Sequence, residues 1–188
     1  DRVWLPSNVE RTLGMLSPAQ VSDADPQLGV VLLGGISKHF HWSNEEITTQ
    51  VRAIVQQSRQ VRWQVIDSRR TPDDLQQHLK LPENAKYVHW RDTQNSWLTH
   101  QLSRSSATWV TPDSASMVYE ALSFAGRVGI IALRPKRASN KLAQGIRRLQ
   151  ALGYVGSSTG GPLPQQNLNT VALAEHRRCA ELIMQRWF

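Results

Sequence analysis

The sequence predicts an α/β fold in which a Rossmann-like parallel sheet is flanked by helices. Three observations predict it: short, almost wholly apolar runs recur along the chain, helical segments alternate with them, and turn or capping residues separate the two. Strands buried on both faces of a parallel sheet have this continuous apolar character, and a helix between consecutive strands gives right-handed βαβ units. The chain has 188 residues, which is enough for one such domain.

Five apolar runs are predicted to form the strands of this sheet, at residues 28–33, 61–66, 85–90, 108–111 and 128–133. Another short strand is predicted at residues 3–6, ahead of a polar stretch at 17–27 that is typical of an interdomain connection. We therefore expect residues 1–20 to be the end of a missing N-terminal domain or a connecting segment. Residues 21–188 are expected to form a Rossmann-like domain of the nucleotide-binding type.

Capping and turn residues predict the helices between the strands. Ser43 and Glu46 form a capping box that begins a helix reaching about Ser58. Thr71 is expected to cap the next helix, because a proline and two acidic residues follow it. Further helices are predicted at residues 96–102, 113–124, 141–152 and 169–187, and the one at 141–152 is expected to stop at Gly153.

Composition and charge limit the functions to consider. The formal net charge is +7 and the isoelectric point is about 10.2, so attraction to phosphorylated ligands, anionic membrane or nucleic acid is expected. Because the basic residues are scattered and no nucleic-acid-binding motif is present, specific nucleic-acid binding is not expected. The apolar runs are far shorter than a membrane span. The single cysteine, Cys179, excludes an internal disulfide and fits a reducing cytoplasmic compartment.

Parallel sheets bind ligands beyond the carboxyl ends of their strands, and the loop after the first strand is the first candidate site. Its sequence is GGISKHFHW at residues 34–42. Gly34 and Gly35 would bring the backbone close to a ligand and expose amides to an anion, while Ser37 and Lys38 would donate further hydrogen bonds to phosphate. A tight turn with aromatic packing is the alternative, since the pattern is neither a dinucleotide fingerprint nor a Walker loop.

The second candidate site is the start of the helix predicted from Asp113, within the sequence TPDSASMVYE at residues 111–120. At about 100° per residue, Asp113, Ser116 and Glu120 share one flank of that helix. A helix N-terminus binds phosphate, and a carboxylate farther along can accept hydrogen bonds from a ribose diol. Simple capping by Asp113 or Ser114 is the alternative. Glu120 borders the apolar stripe and has no obvious partner.

Two further loops carry polar residues. Arg69 and Arg70 follow the second strand, and paired arginines either clamp phosphate or carboxylate groups or lie on a solvated surface. The end of the third strand, around Val88, would supply a base-binding edge through backbone groups and rings, or is a buried strand with a polar end. His39 and His41 are too close in sequence for a helical metal pair, so neither a metal nor a cofactor is expected.

Three motifs occur together and in order, at residues 34–42, 68–72 (SRRTP) and 111–122. Their combination resembles the mitochondrial-fission "elongated mitochondria" family over nearly the whole chain. That family in turn resembles the C-terminal donor-binding domain of GT-B glycosyltransferases. The resemblance implies that Gly34, Gly35 and Ser37 approach a diphosphate and that residues 113–116 form a phosphate-facing helix start. It also implies that Glu120 holds the ribose and that the loop after Val88 meets the base.

Two main hypotheses for function follow from the resemblance. The first is a nucleotide-sugar-binding domain of a glycosyltransferase-like protein, in which Lys38, Arg69 and Arg70 stabilise the leaving group. A GT-B enzyme also needs an N-terminal acceptor domain, so this chain is expected to bind better than it catalyses. The segment RPKR at residues 134–137 departs from the acidic or amide residue that holds the sugar in many donor domains, and it favours an anionic ligand.

The second hypothesis is a non-catalytic adaptor. Plant relatives are regarded as recruitment factors for a fission GTPase, and the basic surface would then dock on anionic membrane or an acidic partner. A domain that retains the fold alone is a third alternative. We expect a cytoplasmic location, with peripheral contact to the inner membrane as a further expectation.

Overall fold

The computed structural model describes residues 9–10, 12–17, 24–94, 96–124, 126–157 and 173–187. Within these ranges one parallel sheet forms the centre of the molecule, and helices pack against both of its faces. The predicted α/β fold with a Rossmann-like sheet is therefore confirmed. The predicted strand at residues 3–6 and the predicted start of the closing helix at 169 lie outside the described residues.

The sheet is built from β1 (Asp25–Leu32), β2 (Arg62–Ile66), β3 (Ala85–Val88), β4 (Ser105–Val110), β5 (Arg127–Ile130) and β6 (Gly156–Ser157). The strands lie in the order β3-β2-β1-β4-β5-β6, and every neighbouring pair is parallel. The sheet therefore grows in one direction from β1 to β3 and in the other from β4 to β6. The carboxyl ends of β1 and β4 form the topological switch point, which is where open α/β sheets bind ligands.

The helices of the described ranges are α1 (Asn44–Gln57), α2 (Leu75–Leu79), α3 (Trp97–Arg104), α4 (Ala115–Leu122), α5 (Lys141–Ala151) and α6 (Glu175–Trp187), with a 3-10 turn at Trp90–Asp92. Apolar residues of α1 and α2 pack on one face of the sheet, where Trp63 and Trp109 lie. Residues of α3, α4 and α5 pack on the other face, against Val30 and Leu32. Among the described residues, no helix combines the length and apolar character needed to cross a membrane.

Strand boundaries differ from the prediction at several strands: β3 ends at Val88 rather than at 90, and β5 covers Arg127–Ile130 rather than 128–133. β1 begins at Asp25, inside the stretch predicted as a connection, and there Asp25 pairs with Arg62 at 2.8 Å. β4 begins at Ser105, where it pairs with Asp25 of β1, rather than at 108, and Ser106 Oγ also donates to the Leu28 carbonyl at 3.1 Å. The sequence does not predict β6, since two residues give no periodic signal.

Predicted helix ends are confirmed at α1 and α5. The Ser43 side chain accepts a hydrogen bond from the Glu46 amide at 3.3 Å, as the capping box requires of its first member. At the start of α5, Asn140 Oδ1 accepts from the amides two and three residues later, at 2.9 and 3.3 Å. The helix ends at Ala151, and Gly153 adopts a left-handed φ of 75° just beyond it.

The loop after β1 extends sideways across the end of β4 and pairs with the loop after β5. Phe40 and Pro135 form an antiparallel bridge, and the His41 amide donates to the Arg134 carbonyl at 2.9 Å. Since β4 lies between β1 and β5 in the sheet, this pairing places the loop over the carboxyl end of β4. The two loops consequently form one surface at the switch point.

Two tryptophans lie over glycines of neighbouring strands. Gly29 of β1 is paired with Trp63 of β2, and Gly129 of β5 is paired with Trp109 of β4. A Cβ atom added to Gly29 would lie 2.5 Å from ring atoms of Trp63, and one added to Gly129 would overlap the ring of Trp109. Because protein interiors are close-packed, these indole rings need glycine beneath them.

Gly29→Ala is therefore expected to lower the free energy of unfolding by about 1–3 kcal/mol, because the added methyl group overpacks the Trp63 ring. Gly145→Ala is the control. Gly145 lies in α5, and a Cβ atom added there would meet no other atom within 4 Å, so alanine should raise the free energy of unfolding by up to about 1 kcal/mol. Urea unfolding followed by circular dichroism measures both. Equal stability of Gly29→Ala and the wild type would contradict the packing requirement.

Candidate functional site

Four loops meet along the carboxyl edge of the sheet, after β1, β2, β4 and β5. They comprise residues 33–43, 67–74, 111–114 and 131–140. The topology brings nearly all of the predicted ligand-binding residues to this edge, on the loops themselves or at the ends of the adjoining elements: Gly34, Gly35, Ser37, Lys38, Arg69, Arg70, Val88, Asp113, Ser114 and Ser116. Glu120 lies farther along α4.

The loop after β1, called here the glycine loop (residues 33–43), uses the amides of Gly34, Gly35 and Ile36 for contacts within the protein. The Gly34 amide donates to Thr111 Oγ1 at 2.7 Å, and the Gly35 amide donates to Asp113 Oδ2 at 3.0 Å. The Ile36 amide donates to the carbonyl of Arg70 at 3.1 Å. The prediction that Gly34 and Gly35 expose their amides to an anion is therefore wrong, because side chains from another loop already accept from them.

Close contact between loops explains the glycine pair. A Cβ atom on Gly34 would overlap the carboxylate of Asp113, and one on Gly35 would overlap the carbonyl of Arg70. Both glycines are buried. Because they have no side chain, they let three loops approach one another. Binding of a ligand near Gly34 and Gly35 stays a prediction, and these glycines would contribute to it by positioning the loop.

Hydroxyl groups from the loop after β2 bind the carbonyls of the glycine loop. Thr71 Oγ1 lies 3.1 Å from the Leu33 carbonyl and also contacts the Gly34 carbonyl, to which Ser68 Oγ donates at 2.8 Å. The prediction that Thr71 caps a helix is wrong, since α2 begins at Leu75 and Thr71 is buried against the glycine loop. Buried carbonyls need donors, and these two hydroxyls supply them.

Asp113 is the buried centre of this contact. Its side chain is 0% exposed, and Oδ2, which accepts from the Gly35 amide, lies 3.0 Å from a guanidinium nitrogen of Arg70. Oδ1 has no hydrogen-bond partner among the described residues. The buried carboxylate therefore connects its own loop, after β4, to the loops after β1 and β2. The Arg70 side chain, by contrast, is 42% exposed and reaches the surface.

The first turn of α4 has no side-chain cap. Ser114 occupies the N-cap position, but its side chain makes no capping hydrogen bond, and the first turn contains no acidic residue. Neither Asp113 nor Ser114 therefore caps the helix, and the Asp113 carboxylate instead accepts from the Gly35 amide. Ser116 is exposed on this turn. Amides without acceptors at the positive end of a helix attract anions.

Glu120 is half-buried on α4. Burial raises the pKa of its carboxyl group above the ordinary value of 4.5. Within the part of the chain that the structure describes, this side chain forms no hydrogen bond or ion pair, in agreement with the absence of an obvious partner in the sequence. A carboxylate that loses water without gaining a partner is costly for folding and is a candidate for ligand contact.

Three other predicted residues have less defined surroundings. Ser37 Oγ accepts from the amides of His39 and Phe40 at 3.2 and 3.3 Å, so it shapes the turn in which it lies. Lys38 and Arg69 are exposed and form no ion pair with any described residue. Contact of Ser37, Lys38 and Arg69 with a ligand stays a prediction.

Asp67, which sequence reasoning missed, fixes the loop after β3. Its carboxylate accepts from the Trp90 amide at 2.5 Å and from the Tyr87 hydroxyl at 2.7 Å, and His89 Nε2 lies 3.6 Å away. Burial and this carboxylate raise the pKa of Tyr87 well above its usual range. The Val88 carbonyl accepts from the Asp67 amide at 3.4 Å, so it is already engaged within the protein. An acidic residue directly after a strand was the available signal.

The described residues contain no group of three or more side chains arranged to hold a metal ion. The site contains the uncapped N-terminus of α4 beside the Arg70 guanidinium, together with a hydrogen-bond acceptor in Glu120. A ligand that carries both phosphate and hydroxyl groups matches this arrangement.

The fold resembles that of MurG from Acinetobacter baumannii, a GT-B glycosyltransferase. The TM-score is 0.56 at 12% sequence identity, and the alignment covers 97% of this chain and 57% of MurG. The chain thus spans somewhat more than half the length of that protein, and the likeness concerns the fold. A putative UDP-N-acetylglucosamine 2-epimerase from Listeria monocytogenes aligns over 85% of this chain and 37% of its own, with 13% identity and a TM-score of 0.47. No curated protein matches the chain.

The family comparison agrees with the resemblance carried by the three motifs. The model of the family described as Mitochondrial fission ELM1 matches residues 10–187. This range includes the glycine loop, the SRRTP segment and the start of α4, which are the same segments that Asp113 and Thr71 hold together. The chain belongs to the Mitochondrial fission ELM1 family.

Proposed function

We propose that this chain is the nucleotide-sugar-binding domain of a glycosyltransferase-like protein. The observation that carries the proposal is the uncapped start of α4 at the switch point, with Arg70 beside it and the unpartnered Glu120 on the same helix. The first two features suit a diphosphate, and the third suits the hydroxyl groups of a ribose.

The spacing along α4 supports a single ligand. Ser116 and Glu120 are four residues apart, so they lie about 6 Å apart along the helix axis and on nearly the same flank. A diphosphate at the first turn would place an attached ribose within reach of the Glu120 carboxylate. Hydroxyl donors from the ribose would replace the water that this carboxylate loses on burial.

The surrounding cations suit donor binding and stabilisation of the leaving group. Arg70 is fixed by Asp113 at 3.0 Å, while Lys38 and Arg69 are exposed on the neighbouring loops. Positive groups and a helix N-terminus stabilise the negative charge that develops on a departing diphosphate. Transfer to an acceptor also needs a general base, and the role proposed for these residues is limited to holding the donor.

We also propose a cytoplasmic location, because the free thiol of Cys179 and a nucleotide-activated donor both fit that reducing compartment.

The adaptor function is the second candidate. It is supported by the exposed apolar side chains of Ile183, Met184 and Trp187 on α6, which lie beside the cationic Arg186. Such a surface fits peripheral contact with an anionic membrane.

Calorimetric titration with UDP, GDP, ADP, CMP and their sugars tests the proposal. One nucleotide is expected to bind, and Glu120→Gln is expected to weaken it by about tenfold or more, because a charged acceptor of the ribose hydroxyls is lost. A nucleotide at about 100 times its Kd should also add roughly 2.7 kcal/mol to the free energy of unfolding.

Glu83→Gln is the matched control for this titration, since Glu83 is exposed and precedes β3, at the opposite edge of the sheet. Its nucleotide affinity should equal that of the wild type. If none of the nucleotides binds to the folded wild-type chain, the donor-binding proposal is wrong and the adaptor function gains support.

Glu120→Gln is also expected to change the pH dependence of stability without any ligand. Because the pKa of Glu120 is higher in the folded chain than its ordinary 4.5, the folded state favours the neutral carboxyl group. The neutral Glu120 carboxyl group contributes fully to the stability of the folded chain below about pH 4.5. This contribution is lost as the pH rises through the pKa that Glu120 has in the folded chain. The variant should therefore have a higher Tm than the wild type at pH 7–8, and the difference should shrink toward pH 4.5. A constant difference across this range would contradict the raised pKa.

A further inference from the structure

A cavity of about 500 Å³ lies between the loop after β1 and the start of α5. Its lining includes Lys38, Lys136, Arg137 and Lys141, together with His39. The volume is within the usual range for small-molecule sites, which is about 300–1,000 Å³. No acidic residue lines it.

The cavity is held in shape by hydrogen bonds between the two loops. The His39 carbonyl accepts from the Lys136 amide at 3.0 Å and from Asn140 Nδ2 at 2.7 Å. Lys136 Nζ donates to the Ser37 carbonyl at 2.9 Å. These bonds connect the cavity wall to the glycine loop, so the cavity and the start of α4 belong to one continuous edge of the sheet.

The charges in this cavity are not balanced within the protein. None of its four cationic side chains forms an ion pair with a described residue, and no acidic side chain lines the cavity to offset their charge. Lys141 is moreover the first residue of α5, whose first turn contains no acidic residue. A cation at the positive end of a helix is unfavourable, so folding alone does not explain this arrangement.

We propose that this cavity is a second anion-binding site, which takes a phosphate or carboxylate group. The first amides of α5 are already occupied by Asn140 Oδ1, so the anion is held by the cationic side chains. Where the chain binds a nucleotide sugar, a step that rests on the proposed function, this second anion is carried either by the sugar itself or by the acceptor that meets it.

Titration of the 188-residue chain with inorganic phosphate, followed by amide NMR spectra, tests the second site. Phosphate should shift the amides of residues 38–39 and 136–142. Arg137→Gln and Lys141→Gln should each weaken its binding by about threefold to tenfold, in the range of charge-assisted contacts that are partly exposed to water. Added salt should weaken binding further.

Lys86→Gln is the control, because Lys86 is exposed on β3 at the far edge of the sheet and its loss changes the net charge equally. Phosphate affinity should be unchanged in this variant. An equal loss in Lys86→Gln and Lys141→Gln, or amide shifts confined to residues 114–117, would overturn the second site.

Comparison of UDP-glucuronate with UDP-glucose identifies the source of the anion. A preference of about threefold or more for UDP-glucuronate that disappears in Arg137→Gln assigns the anion to the donor sugar. Equal binding of the two nucleotides, with phosphate still bound in the cavity, assigns it to the acceptor. If phosphate binds in the cavity and no nucleotide binds anywhere, the donor-binding proposal fails and the second site stands.

Discussion

The buried carboxylate of Asp113 is the contact on which the geometry of the site depends. Through Oδ2 it binds the Gly35 amide and the Arg70 guanidinium, and so it joins the loops that follow β1, β2 and β4. Because Asp113 is fully buried and Arg70 is partly exposed, removing Arg70 would leave a buried carboxylate without its cationic partner, which destabilises the fold. Glycine at positions 34 and 35 follows from this contact, since any side chain there would overlap Asp113 or the Arg70 carbonyl.

This arrangement determines which groups remain free to bind a ligand. The amides of Gly34, Gly35 and Ile36 are used within the protein, so the proposed function assigns recognition of an anion to the start of α4 and to the cationic side chains around it. Because Asp113 faces inward, it cannot also cap α4, although it directly precedes the N-cap residue. The same side chain therefore fixes the glycine loop and leaves the helix N-terminus open, which links the packing of the loops to the proposed function.

The sequence predicted the parts of the fold that depend on local patterns. Apolar runs located β1 to β5, the Ser43 cap located the start of α1, and the Gly153 stop located the end of α5. It could not predict bonds between residues far apart in the chain, and Thr71 shows why. A threonine followed by proline and acidic residues has the local pattern of a helix cap, yet its hydroxyl group binds carbonyls that lie almost forty residues earlier. The sheet must first bring the two loops together before the Thr71 hydroxyl group can bind these carbonyls instead of capping a helix.

Two features of the chain destabilise the folded state, because each leaves charged groups without a partner of opposite charge. Glu120 loses water without gaining a partner, and the cations around Lys141 repel one another at the positive end of α5. Both lie outside the Asp113 contact, where the polar groups are largely paired. Natural sequences agree with their fold at most positions and depart from it mainly where a ligand is bound. In the two proposals made above, hydroxyl donors of a ribose would satisfy Glu120, and a negative group on the donor sugar or on the acceptor would satisfy the cavity.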